Sequence, residues 1–145
     1  MVLFRIAQVI KRNKVLFLLF FWYLLFYRVI VEWCMCVELS WKTSVGPGLS
    51  IWHGSGLVIH PDTVIGNNFT VRQCTTIGIK QDANGNYCSS APVIGNNVDI
   101  GCNSVIIGPL NIGNNVKIGA GTVVVKHIPE NATVVGNPAR IISSS

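Results

Sequence analysis

From residue 37 onward, an aliphatic residue returns at every sixth position along most of the chain. Leu39, Val45, Ile51, Ile59, Ile65, Val71, Ile77, Ile94, Ile100, Ile106, Ile112, Ile118 and Val124 carry this beat, and a glycine directly follows seven of them. A second inward position falls four residues later, at Thr43, Leu49, Thr63, Phe69, Thr75, Val98, Ser104, Leu110, Val116 and Thr122. A helix repeats at about 3.6 residues and a strand at about 2, so neither alone explains a period of six. Six residues make one short strand and one corner. The aliphatic side chain fills the interior. The Gly or Asn after it accepts the corner's backbone geometry, which suits the Asn pairs at 67–68, 96–97 and 114–115. Three such units close a triangular coil of about eighteen residues, and successive coils pair as parallel strands about 4.8 Å apart. The thirteen hexads predict an all-β parallel β-helix of a little over four coils, a prism about 20 Å tall. The period does not set its hand. The beat slips by two residues between Ile51 and Ile59, and by a long insertion, residues 79–93, between Ile77 and Ile94.

Residues 1–36 follow a different pattern. Val15 to Tyr27 runs without a charge. That is short of the roughly 20 apolar residues a membrane-crossing helix needs, and Arg28 interrupts it. A hydrophobic, basic helical segment is expected over 1–36, ahead of the β-helix domain at 37–145. Three readings stay open for it: a helix lying on a membrane surface, a helix packed under the repeats or against another copy, and a signal peptide. No small-residue cleavage site follows the run, since Glu32-Trp33-Cys34 is bulky.

Charge sharpens the division. The formal net charge is +5, of which +4 lies in residues 1–36 (Arg5, Lys11, Arg12, Lys14 and Arg28 against Glu32). No basic stripe with interleaved aromatics follows, so nucleic acid is not an expected partner. Half the residues are apolar and 12% are charged. Cys34, Cys36, Cys74, Cys88 and Cys102 are odd in number and fit no zinc spacing, so they read as reduced thiols, and no metal is expected. Asn68-Phe-Thr70 and Asn131-Ala-Thr133 match the glycosylation pattern but read as corner residues.

Three stretches carry a resemblance. The close of the chain reads Ile118-Gly-Ala-Gly-Thr-Val-Val-Val-Lys126-His-Ile-Pro129, then Val135-Gly-Asn-Pro-Ala-Arg140-Ile. The slip in the beat reads Ile51-Trp-His53-Gly-Ser-Gly-Leu-Val-Ile59, and the N-terminal run ends in Tyr27-Arg28…Glu32. Over residues 37–142 the chain resembles the hexapeptide-repeat transferases, whose β-helix is left-handed. It is similar to serine O-acetyltransferases, and more so to relatives that O-acetylate sugars of colanic acid and other exopolysaccharides.

The resemblance implies acetyl transfer from acetyl-CoA to a hydroxyl. Such a step needs a base, and histidine suits it because its pKa lies near the operating pH. His53 sits where the coil is broken, beside Gly-Ser-Gly. By resemblance it is the base, oriented by Glu38, fifteen residues earlier. With a coil near eighteen residues, the two are expected to stack. Gly78, Cys102, Ala120, Val125, Lys126, Pro138 and Arg140 match positions that hold acetyl-CoA, with Lys126 and Arg140 toward its phosphates. His60 and His127 read as surface residues. Serine-specific members carry an Arg-His pair before the proline matching Pro92, whereas this chain has Ser90-Ala91. That favours a sugar or glycan hydroxyl as acceptor. Serine O-acetyltransferase is the alternative, and a non-catalytic β-helix module is the rival from another class. The family implies a homotrimer with sites between subunits. The expected location is the cytoplasm, with residues 1–36 able to contact the inner membrane.

Overall fold

The hexads close into three walls. The computed structural model describes residues 2–81, 84–87 and 90–144. The first coil is β1 (Val37–Leu39), β2 (Ser44–Val45) and β3 (Ser50–Trp52). The second is β4 (Leu57–Ile59), β5 (Val64–Ile65) and β6 (Thr70–Arg72), and the third is β7 (Thr76–Gly78), β8 (Val93–Ile94) and β9 (Asp99–Ile100). The fourth is β10 (Val105–Ile107), β11 (Asn111–Ile112) and β12 (Lys117–Ile118). The fifth consists of β13 (Val123–Val124), a bridge from Ile128 to Ile112, and β14 (Ala132–Val135). All these strands pair in parallel, each with its counterparts in the adjoining coils, and β15 (Arg140–Ser144) then returns antiparallel to β14. The result is a left-handed parallel β-helix.

There are thus five coils, where the hexad count predicted little more than four. The count stops at Val124 because the next inward residues, Ile128 and Val134, are off the beat around Pro129. The expected interior is otherwise what the chain buries. Every aliphatic beat residue is buried except Ile51, which is half-buried at the slipped turn. All ten residues of the second inward row are buried as well.

The N-terminal segment is helical and packs on the first coil. It comprises α1 (Val2–Arg12), α2 (Lys14–Leu19), α3 (Phe21–Tyr27) and a π-helical turn, Arg28–Cys34. The uncharged run is therefore not one helix. It breaks at Phe20, whose backbone (φ −115°, ψ 23°) leaves the helical region. Phe4, Ala7, Ile10, Leu24 and Tyr27 join the core of the β-helix. The Tyr27 hydroxyl donates to the Leu39 carbonyl at 2.6 Å. Open strand edges need their carbonyls satisfied, and α1 does this for β2. The Arg5 guanidinium donates to the carbonyls of Val45 (2.7 Å) and Gly46, and the Gln8 amide donates to that of Thr43 at 3.1 Å. At the other end, Gly136–Ala139 lie beside β13: Val123 N–H donates to Gly136 O and Ala139 N–H to Val123 O.

Candidate active site

His53 sits at the corner between the third and first walls, just after β3. Its backbone is left-handed, with φ 52°. His53 shares that conformation with Cys36, Cys74 and Asn103 of the same corner, so the φ belongs to the bend of the coil. The turn is stitched in place from both sides. Gly56 N–H donates to Cys36 O below, and Cys74 N–H donates to Ser55 O above. His53 itself is exposed, and its imidazole has no hydrogen-bond partner among the described residues. A rigid turn therefore presents an imidazole whose nitrogens are both open to an acceptor.

Glu38 is exposed in the middle of β1. Its neighbour in the next coil is Val58, five residues past His53. The expected stacking of Glu38 under His53 is not what the register shows. The two-residue slip lengthens this coil to twenty residues, so position 38 meets position 58. Among the described residues no hydrogen bond joins Glu38 to His53. Glu38 instead lines a polar cleft of about 380 Å³ with Arg28, Glu32, Trp41 and Asp62. Within it Arg28 Nε and Glu32 form an ion pair at 3.1 Å.

The residues matched to acetyl-CoA border the first wall, except Arg140, which lies at the edge of the third. Cys102 and Ala120 stand on His53's own corner. That corner is one backbone column: Asn103 N–H donates to Gln73 O, and Gly121 N–H to Cys102 O at 2.8 Å. The backbone there is close enough that a Cβ on Gly101 would overlap the main chain of Ala120. Gly78, Val125 and Lys126 lie at the opposite corner. Gly78 pairs with Ile107, beside a groove of about 830 Å³ that Lys80, Gly108, Val125, Lys126 and His127 line. Pro138 lies within the segment that folds against β13, and Arg140 opens β15; both are exposed.

Three residues of that groove carry signals that the spacing of the chain did not single out. Lys80 comes from the 79–93 insertion and faces the same space as Lys126. Pro109 joins them from the fourth coil. His127, read as a plain surface residue, is exposed but fixed: its Nδ1 accepts from Asn111 N–H at 2.9 Å, which leaves Nε2 to carry the proton. His60, read as a surface residue, is half-buried at a corner, its Nδ1 accepting from Asp62 N–H at 3.3 Å. Cys34, Cys36, Cys74 and Cys102 are free thiols; Cys88 lies outside the described residues. A groove lined by Lys80 and Lys126, neither in an ion pair among the described residues, fits a long anionic cosubstrate such as acetyl-CoA. Among the described residues no group of His, Cys, Asp and Glu is placed to hold a metal ion.

Known proteins are similar to this chain in sequence and fold. No protein-family model matches the sequence. A protein of Escherichia coli (strain K12) named as a colanic acid biosynthesis acetyltransferase, WcaB, is 41% identical over 118 residues, covering 81% of this chain and 70% of its own. The chloroplastic serine acetyltransferase 1 of Arabidopsis thaliana is 42% identical over 106 residues, covering 73% of this chain and 33% of its own. Among solved structures, the soybean serine acetyltransferase apoenzyme superposes with a TM-score of 0.79 at 31% identity, covering 97% of this chain and 55% of its own. The Neisseria gonorrhoeae serine acetyltransferase gives 0.77 at 32%, covering 99% and 53%. The chain thus spans about half the length of the solved enzymes it matches. It belongs to the hexapeptide-repeat acyltransferases. Within that family it is an acetyltransferase.

Proposed function

We propose that the chain transfers the acetyl group of acetyl-CoA to a hydroxyl of a sugar or glycan precursor, with His53 as general base. The observation that carries this reading is the unpartnered His53 imidazole on a rigid left-handed turn. It heads the same corner column as Cys102 and Ala120. When bound, acetyl-CoA supplies an activated thioester. His53 takes the acceptor's proton as the hydroxyl oxygen bonds to the acetyl carbon. The carbon–sulfur bond breaks, and the proton passes to the departing thiolate. Lys80 and Lys126 hold phosphates at the far corner of the first wall.

His53's turn belongs to the first coil, whereas the lysine groove belongs to the third to fifth coils across the wall. That separation supports a homotrimer in which one subunit's base works beside a neighbour's groove, a closed symmetry. The acceptor assignment rests on the loop before β8. Ser90 and Ala91 carry no charge, so they give a carboxylate no bidentate cation of the kind it prefers. The serine reading is favoured by the solved serine acetyltransferases that superpose on 97–99% of this chain.

His53→Ala is expected to lower acetyl transfer by about 10²–10⁴-fold while acetyl-CoA binding persists. Consumption of acetyl-CoA is followed against a panel of nucleotide sugars, oligosaccharides and free L-serine. Full activity in the variant would remove His53 from the chemistry. Turnover with L-serine alone would replace the sugar acceptor by serine.

A further inference from the structure

The helical segment has two apolar faces, and the β-helix covers only one. The inner face is spent on the core through Phe4, Ala7, Ile10, Leu24 and Tyr27. The outer face remains in solvent. In α2 no residue is buried, and Leu18 and Leu19 are 81% and 62% exposed. In α3 and the turn after it, Trp22 is 64% and Trp33 70% exposed, and Phe21, Leu25 and Phe26 are about half exposed. A surface helix of a soluble fold turns polar residues outward, and these do not.

Cations stand at its α1–α2 end, where Lys11 also donates to the Lys42 carbonyl at 3.4 Å and lines a cleft with Arg12 and residues 41–45. Lys11, Arg12 and Lys14 are exposed at the α1–α2 junction. Arg12 and Lys14 make no ion pair among the described residues. Among the described residues no helix is long and apolar enough to cross a membrane, and the break at Phe20 divides the run into two short pieces. Aromatic and aliphatic side chains on short helices with flanking cations suit insertion into the headgroup region of an anionic bilayer, with the helix axes in the membrane plane.

We infer that the outer face of α2, α3 and the π-helical turn docks on an anionic lipid bilayer. The surface stands whatever the acetyl acceptor is. Docked this way, the helical cap lies against the membrane and the prism projects from it. His53's turn is then close to the bilayer, because Gly56 of that turn hydrogen-bonds Cys36 at the end of the helical segment.

Vesicle sedimentation of the full chain tests this, with phosphatidylcholine vesicles alone and with about 30% phosphatidylglycerol added. The chain is expected to sediment with the anionic vesicles and at least tenfold less with phosphatidylcholine alone. Leu18→Ser with Trp22→Ser is expected to lose the binding. Both side chains are exposed, and an unchanged melting curve by circular dichroism checks that the fold survives. Arg12→Glu with Lys14→Glu is expected to weaken binding by about fivefold or more for each cation reversed. Light scattering of the same samples reads the rival occupant, a second copy of the chain. No sedimentation with anionic vesicles would overturn the inference. So would a Leu18/Trp22 variant that binds vesicles as before but falls to a smaller oligomer.

Discussion

Tyr27 is the largest of the fully buried side chains, and its hydroxyl has one partner, the Leu39 carbonyl. Burial raises its pKa, and the nearby Glu32 carboxylate and Tyr23 push it the same way. Folding therefore holds the phenol neutral. An acid whose folded pKa is raised contributes stability in full below its unfolded pKa, about 10, and loses it as pH rises above that. Tyr27→Phe is expected to cost about 1–3 kcal/mol at neutral pH, since the carbonyl is left unsatisfied. Urea denaturation measures it, and the variant should lose part of the alkaline destabilisation seen above pH about 10. His53 is the opposite case. Among the described residues nothing hydrogen-bonds its ring, so its replacement should leave stability nearly unchanged while it removes activity.

At the scale of the element, the corner between the second and third walls shows how repeats lock together. Asn68 Nδ2 donates to Asn97 Oδ1 at 3.0 Å, Asn97 Nδ2 to Asn115 Oδ1 at 2.9 Å, and Asn115 Nδ2 to Asn131 Oδ1 at 2.9 Å. All four asparagines have φ between 54° and 58°. A short polar side chain tolerates that conformation and can still bond along the stack. The ladder also engages the asparagines of both glycosylation-like sequences. Asn97→Ala is expected to cost about 1–2 kcal/mol from strain and lost amide bonds, and Asn97→Gly to recover only the strain part. Thermal or chemical unfolding compares them. Arg5 works on the same scale from the helical cap. Arg5→Ala is expected to cost about 1.5–3 kcal/mol, because two carbonyls at the edge of β2 lose a charged donor; chemical denaturation measures the loss.

For the whole molecule, two open ends decide the design. One is closed by α1–α3, the other by Gly136–Ala139 and β15. The first closure leaves an apolar outer face, which is why membrane docking belongs to this scale and not to any one residue. The first wall joins the chemistry, with His53, Cys102 and Ala120 along one corner and Gly78, Val125 and Lys126 along the other. The proposed base and the groove sit on opposite corners, which is the observation behind the proposed homotrimer.

The interior and the corners were legible in the sequence, because each coil repeats a local rule: an aliphatic residue in, a glycine or asparagine at the bend. His53 was legible as a break in that rule. Contacts between coils were not. Glu38 meets Val58 and not a residue at the His53 turn, because register depends on how many residues the whole coil contains. Lys80 and Lys126, forty-six positions apart, share a groove only because the coils stack. The run Val15–Tyr27 announced a greasy segment, but its break at Phe20 and its two faces arose from packing. The β-helix end accepts one side of the helices, and the tertiary structure alone decides which side remains outside.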